Sequence, residues 1–192
     1  MTLIAGIVLP DGNVWMGGER VVGTDGRRLA GPKIFQLTTT RNDKHDPPGV
    51  PFLIGFAGAP RVAQTILAVK PPQWKPEYRS LHAWLTDYCA NIRARCQAEL
   101  LIEDSHEGGW LVGGSAALVA IDGHLVRIGC NLSWEELDRP YRATGVAWET
   151  WTGAYVAHLE HHGDQLTAAR AAWEVAEQLH NIGPLVDELT LS

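Results

Sequence analysis

The sequence predicts an α+β fold in which two β-sheets pack together with helices outside them. Three observations predict it. Strand-like and helix-like segments alternate along the 192 residues in the order strands, two helices, strands, two helices, strand. Phe52-Leu53-Ile54-Gly55-Phe56-Ala57-Gly58 is a nearly continuous apolar run, as expected of a strand covered on both faces. Leu81, Trp84, Leu85, Tyr88, Cys89, Ile92 and Cys96 recur at three- and four-residue steps, which draws one apolar stripe along a helix.

Each element follows from local chemistry. Residues 2–18 read as a hairpin, because two apolar, β-branched stretches flank the turn Pro10-Asp11-Gly12-Asn13. The glycine- and arginine-rich stretch from Gly23 to Gly31 reads as a loop, and Lys33 to Leu37 as a short strand. Arg41 to Pro51 carries three prolines and reads as a second loop. Ala59-Pro60 opens a helix to about Val69, with proline tolerated in the first turn, and Pro71-Pro72 stops it. The striped helix comes next, followed by a polar, glycine-rich loop from Glu103 to Gly114. Ala116–Ile121 and Leu125–Ile128 flank Asp122-Gly123, a hairpin signal. Tyr141 to Thr144 makes a further strand. Helices are expected over 148–161 and 167–181, the second capped by Thr167 and ended by Gly183-Pro184. Val186 to Leu191 closes the chain as a strand.

Length and composition fit a single domain over residues 1–192. Hydrophobic residues make up 45% and charged ones 20%, which excludes a disordered chain. A net charge of −6 with scattered basic residues argues against nucleic-acid binding. No apolar run approaches the ~20 residues of a membrane span, and no basic region followed by an apolar stretch opens the chain. A cytoplasmic protein with no membrane partner is the expectation. Cys89, Cys96 and Cys130 cannot all pair, and the first two lie seven apart on one helical stripe, so reduced thiols are expected.

Four features carry the chemistry: Thr2 opening the first strand, Gly18-Glu19-Arg20 ending the hairpin, Lys33 opening a strand, and Gly55-Phe56-Ala57-Gly58-Ala59. In their order and spacing the chain resembles the proteasome β-subunit superfamily of N-terminal nucleophile hydrolases. The resemblance is particularly to the bacterial HslV peptidase and its smaller bacterial and phage-borne relatives. Gly145 with the helix after it, and the closing Gly183-Pro184-Leu185-Val186-Asp187-Glu188-Leu189-Thr190-Leu191, look like later landmarks of that family. The resemblance runs over nearly the whole chain.

It implies a four-layer αββα sandwich with a threonine nucleophile in the cleft between the sheets. Removal of Met1 would expose Thr2, whose α-amine, with an ordinary pKa of about 7.7–8.0, can take the hydroxyl proton. Lys33 matches the family lysine beside the nucleophile, where a cation favours developing negative charge. Glu19 stands where the family usually has an aspartate paired to that lysine, so the charge is kept on a longer arm. Gly58 matches the glycine whose N–H forms the oxyanion hole. Val22, Phe56 and Pro60 would line a pocket for an apolar substrate side chain.

The implied activity is that of a threonine endopeptidase in a homo-oligomeric double ring, acting on unfolded protein or peptide. An AAA+ unfoldase partner is implied by analogy alone. After Gly145 the family often has a serine assisting the amine; this chain has Val146, with Thr144 or Thr150 as substitutes. Where many family members carry an aspartate late in the last helix, this chain has His180 and Asn181. Val146 and Glu19 favour one alternative, a catalytically silent structural or binding protein; another is a small-molecule amidohydrolase with the same N-terminal nucleophile, which needs a closed pocket.

No cofactor or metal is expected. His158, His161 and His162 have ligand-like spacing, but no glutamate completes a zinc motif, and a helix C-terminus favours histidines by its dipole. Gly108-Gly109 and Gly113-Gly114-Ser115 lack the lysine of a phosphate loop.

Overall fold

The computed structural model describes residues 2–19, 21–24, 27–41, 48–74, 81–103, 109–136 and 139–192, the side chains of 21–24 and 27–30 excepted. Met1, Arg20, Gly108 and the side chain of Val22 therefore lie outside the described residues. In chain order the elements are β1 (Leu3–Val8), β2 (Val14–Glu19), β3 (Val21–Thr24), β4 (Arg27–Ala30), β5 (Ile34–Thr38), β6 (Pro51–Ala57), α1 (Pro60–Leu67) and α2 (Leu81–Ala98). They continue with β7 (Ile102–Glu103), β8 (Trp110–Leu111), β9 (Ala116–Ile121), β10 (His124–Ile128), β11 (Trp134–Glu136), β12 (Tyr141–Gly145), α3 (Trp148–His162), α4 (Gln165–His180) and β13 (Leu185–Leu191). The expected alternation of strands with helix pairs is present.

Two antiparallel sheets organise the molecule. One has the order β12-β1-β2-β13 and the other β11-β10-β9-β6-β5. The first hairpin turns where the Pro-Asp-Gly-Asn signal stands: Leu9 donates to the Asn13 carbonyl at 2.8 Å, and the Asp11 carboxylate accepts from Asn13 N–H at 3.0 Å. Two expected loops carry short ladders instead. Residues 23–31 hold most of the β3–β4 pair, in which Val21 pairs with Ala30 and Val22 with Leu29. Arginines hid the strand propensity of this stretch, since backbone pairing does not require an apolar face. Likewise β7 and β8 pair across the 103–114 region.

Side-chain alternation sorts the apolar residues into three cores in series. Along β6, Phe52, Ile54 and Phe56 join Trp84, Leu85, Tyr88 and Ile92 of α2 in the first. Leu53 and Ala57 point the other way and meet Ile4, Met16, Leu118 and Leu125 from both sheets in the second. That double burial is why the strand reads as an unbroken apolar run. The third core joins Leu3, Ala5 and Ile7 of β1 to Trp151, Tyr155, Ala172 and Trp173 of α3 and α4. Each fully buried large side chain contributes roughly 1.5–3 kcal/mol of transfer free energy.

Local details correct or extend the sequence reading. Helix α4 starts two residues earlier than expected, because Asp164 is its N-cap and accepts from Thr167 N–H at 2.7 Å. Thr167 sits inside the first turn. Cys89 and Cys96 are buried and free, as expected, and burial pushes the Cys89 thiol up to about 12. Among the described residues no helix is long and apolar enough to cross a membrane.

Candidate active site

Thr2 stands immediately before β1 on the same alternation as Ile4, so it belongs to the space between the sheets. Its backbone is held by β12: Leu3 pairs with Gly145, and the Val146 N–H donates to the Thr2 carbonyl at 3.0 Å. Gly145 has φ +110°, and a Cβ there would run into the Thr2 carbonyl group. Only glycine lets β12 approach this closely. The chain end carrying Thr2 is thereby fixed on a sheet and does not hang free.

Lys33 anchors the centre. Its Nζ donates to Thr2 Oγ1 at 2.8 Å and to Glu19 Oε1 at 2.8 Å. Lys33 is 7% exposed and Glu19 fully buried, so each charge depends on the other for compensation. The second Glu19 oxygen accepts from the Gly183 N–H, and Gly183 in turn accepts from the Trp173 indole at 3.1 Å. The Lys33 backbone is pinned twice more. Its N–H donates to Asp187 Oδ2 at 3.1 Å, and its carbonyl accepts from Phe56 N–H at 3.0 Å.

Asp187 reaches Lys33 because β13 slips register between Leu185 and Asp187. Leu185 packs in the helix-side core, whereas Leu189 and Leu191 pack between the sheets. One inserted residue flips the alternation and turns the Asp187 carboxylate inward. The sequence reading quoted Asp187 as a landmark but gave it no role at the site. A buried acid in an otherwise alternating edge strand was the available signal.

The β6–α1 turn forms the opposite wall. Gly58 has φ +121°, and a Cβ at this position would come 2.6 Å from Ser115 Cα. The buried Ser115 hydroxyl accepts from Ala59 N–H at 2.9 Å and donates to the Val112 carbonyl at 2.8 Å. It clips the Gly58–Ala59 turn to the 112–114 segment, which the sequence reading treated only as loop glycines. Thr2 and Gly58 both line two adjoining cavities. One, of about 380 Å³, has apolar walls that include Phe35, Phe56, Pro60 and Leu67. The other, of about 620 Å³, is lined by Thr144, Gly145, Val146 and Trp148 on one side and by Gly114 and Arg127 on the other.

The structure thus brings Thr2, Lys33 and Glu19 into one hydrogen-bonded chain and sets Gly58, Phe56 and Pro60 around the same cleft. Val22 lies on β3, its side chain outside the described residues. Of the two candidate substitutes for the serine, Thr144 lines the cavity beside Thr2 and is buried. The Thr150 hydroxyl is instead bonded to His180 Nε2 at 2.6 Å. Val146 contributes its backbone N–H instead of a side chain. Asn181 is the left-handed C-cap of α4. His158 stacks on His162, and the described residues contain no group of three or more His, Cys, Asp or Glu able to hold a metal ion.

Two packed antiparallel sheets, with a threonine at the mouth between them and a lysine–carboxylate pair on its hydroxyl, define a fold of the HslV-like, proteasome type. Comparison of structures agrees. HslV from Trypanosoma brucei superposes with a TM-score of 0.65 at 16% identity, over 100% of this chain and 99% of that one. Thiobacillus denitrificans BPH, a bacterial proteasome homologue, gives 0.68 at 14% identity, over 100% and 98%. The same protein in complex with epoxomicin gives 0.67 at 15%, with the same coverage. By sequence the chain matches no family model and no curated protein. The likeness lies in the fold.

Proposed function

We propose that this chain is a threonine endopeptidase of the proteasome type, with Thr2 as its nucleophile once Met1 is removed. The three stacked cores then correspond to the four-layer αββα arrangement of that fold. One observation carries the reading: the Lys33 ammonium bridges Thr2 Oγ1 and the buried Glu19 carboxylate, 2.8 Å from each. An ammonium hydrogen-bonded to a hydroxyl lowers the cost of charge on that oxygen, and Glu19 keeps the ammonium aimed.

The chemistry proceeds in balanced steps. Thr2 Oγ attacks the substrate carbonyl carbon while its proton passes to the freed α-amine of Thr2. The oxyanion forms facing the backbone N–H of Gly58, at a turn held by Ser115. The C–N bond breaks, the leaving amine takes the proton, and an ester on Thr2 remains. Water attacks that ester, with the same amine as base, and the acid and free Thr2 are regenerated.

Two adjoining cavities that meet at Thr2 favour an extended peptide over a small molecule in a closed pocket. The apolar one takes the side chain preceding the cut bond. Assembly into a homo-oligomeric double ring that encloses the site belongs to the same proposal, with light scattering as its check. An unfoldase partner would feed such a chamber. The chain's place of action would be the cytoplasm.

Epoxomicin supplies the test. Mature protein is expected to gain the mass of one inhibitor on Thr2, read by intact and peptide mass spectrometry, and Thr2→Ala to gain none. Retention of Met1 in protein from its native host, or labelling that survives Thr2→Ala, would overturn the assignment.

A further inference from the structure

We propose that the cavity on the far side of Thr2 from the apolar pocket is a leaving-group subsite, and that Arg127 makes it select an acidic residue directly after the cut bond. The inference rests on the peptidase reading and names its substrate class.

The argument starts from alternation. On β10, Val126 and Ile128 pack in the helix-side core, and Leu125 packs between the sheets. Arg127 shares the inter-sheet face with Leu125 and lies opposite Leu118 of β9. A guanidinium on that face is unusual, because the layer is otherwise apolar wherever the sheets touch. It is accommodated because the sheets part here into the cavity that also exposes Thr2 and Gly58. Among the described residues every other side chain lining that cavity is uncharged.

Among the described residues no close ion pair holds Arg127 in place. Its guanidinium is 3.9 Å from Glu135, which Arg142 binds more closely at 3.2 Å. Two cations around one carboxylate leave a net positive charge, so an incoming carboxylate would complete the set. At 31% exposure the Arg127 side chain is only partly screened by water, and a charge-assisted hydrogen bond there is stronger than on an open surface. Trp148 and Val146, 41% and 57% exposed, offer apolar surface on the facing wall for the aliphatic stem of a glutamate. Since the acyl side of the substrate fills the apolar pocket, the departing amine must leave past Arg127.

The test uses mature full-length protein and quenched peptides identical except for glutamate, glutamine or lysine after the cut bond, with the cut located by mass spectrometry. Glutamate is expected to lead glutamine by ~10-fold or more in kcat/KM, the worth of one charge-assisted contact. Arg127→Ala should abolish the preference and Arg127→Glu reverse it toward lysine, while epoxomicin labelling of Thr2 persists in both. In Arg127→Ala the Glu135 carboxylate keeps Arg142 as its partner, and circular dichroism checks that both variants fold. Equal cleavage of the three peptides, or a glutamate preference that survives Arg127→Ala, would overturn the subsite. Should no peptide be cleaved and no adduct form, the peptidase reading fails separately. The subsite is then judged on labelled glutamate and glutamine peptides binding Thr2→Ala protein by anisotropy. A preference removed by Arg127→Glu supports it, and equal or absent binding refutes it.

Discussion

The space between the two sheets has two unlike ends. Toward the 9–13 turn it is filled by Val14, Leu125 and Leu191, packed without a charge among them. Toward Thr2 it holds Glu19, Lys33 and Asp187 in full or near-full burial, with Thr144 and Ser115 close by. Apolar packing stabilises the first end in proportion to area removed from water. The second end carries desolvated charge whose compensation depends on geometry. The contrast teaches that this layer divides its labour, one end holding the sheets together and the other holding buried charges in a fixed geometry beside Thr2.

The sharpest way to break that division is Lys33→Ala. It leaves the Glu19 carboxylate buried with the Gly183 N–H as its remaining described partner, and breaking a buried pair from one side costs about 3–5 kcal/mol. Epoxomicin labelling should vanish as well. The double variant Glu19→Gln, Lys33→Met removes both charges and is expected to recover much of the stability but none of the labelling. Urea denaturation with parallel mass spectrometry checks both halves. If Lys33→Ala unfolds no more easily than wild type, the ion pair is not the constraint described here.

Leu125→Ala probes the apolar end. Loss of a buried leucine between the sheets should cost about 2–5 kcal/mol, depending on how far the site collapses. The labelling rate per folded molecule should stay within about twofold, because no hydrogen bond of the Thr2 centre involves this side chain. A large fall in labelling with little loss of stability would show that the two ends are coupled.

How much of this was legible in the sequence divides along the same line. The apolar end was readable, since the β6 run and the α2 stripe follow directly from burial on two faces and on one. Thr2, Lys33 and Glu19 were legible only through resemblance, because a threonine, a lysine and a glutamate spread over 31 intervening steps carry no local pattern. Asp187 and Ser115 escaped notice because a strand bulge and a three-residue turn brought them inward. The β3–β4 ladder was misread as a loop because backbone pairing leaves little trace in an arginine-rich composition. Thr144 was open beside Thr150, and only the Thr150–His180 bond separated them.

Ser115→Ala sharpens the comparison at a single hydroxyl. The variant removes the acceptor for the part-buried Ala59 N–H and the tie to Val112, a loss of about 1 kcal/mol. The turn bearing Gly58 would then be less firmly aimed. On the peptidase reading kcat should fall by ~10-fold with KM nearly unchanged, since the N–H of Gly58 matters most once negative charge has formed. Ser115→Thr keeps the oxygen and should restore most of kcat. Equal losses in stability and in kcat, with no rescue by threonine, would reduce Ser115 to a packing residue.

The smallest effect expected lies far from both ends, at Asp164. Its carboxylate caps α4, and the hydrogen bonds from the side chain and backbone of Thr167 hold its pKa below the usual value of 3.8. The folded state therefore binds this proton less tightly than the unfolded chain does. The resulting stabilisation is present above about pH 3.8 and fades as pH falls through the lowered folded value. Asp164→Ala should lower the melting temperature modestly at neutral pH, and the gap to wild type should narrow steadily in acid. Activity should be untouched, because Asp164 lies at the opposite end of α4 from Gly183, the residue that joins this helix region to Glu19. A gap that stays constant down to the acid transition would mean that the cap works through its shape and not through its charge.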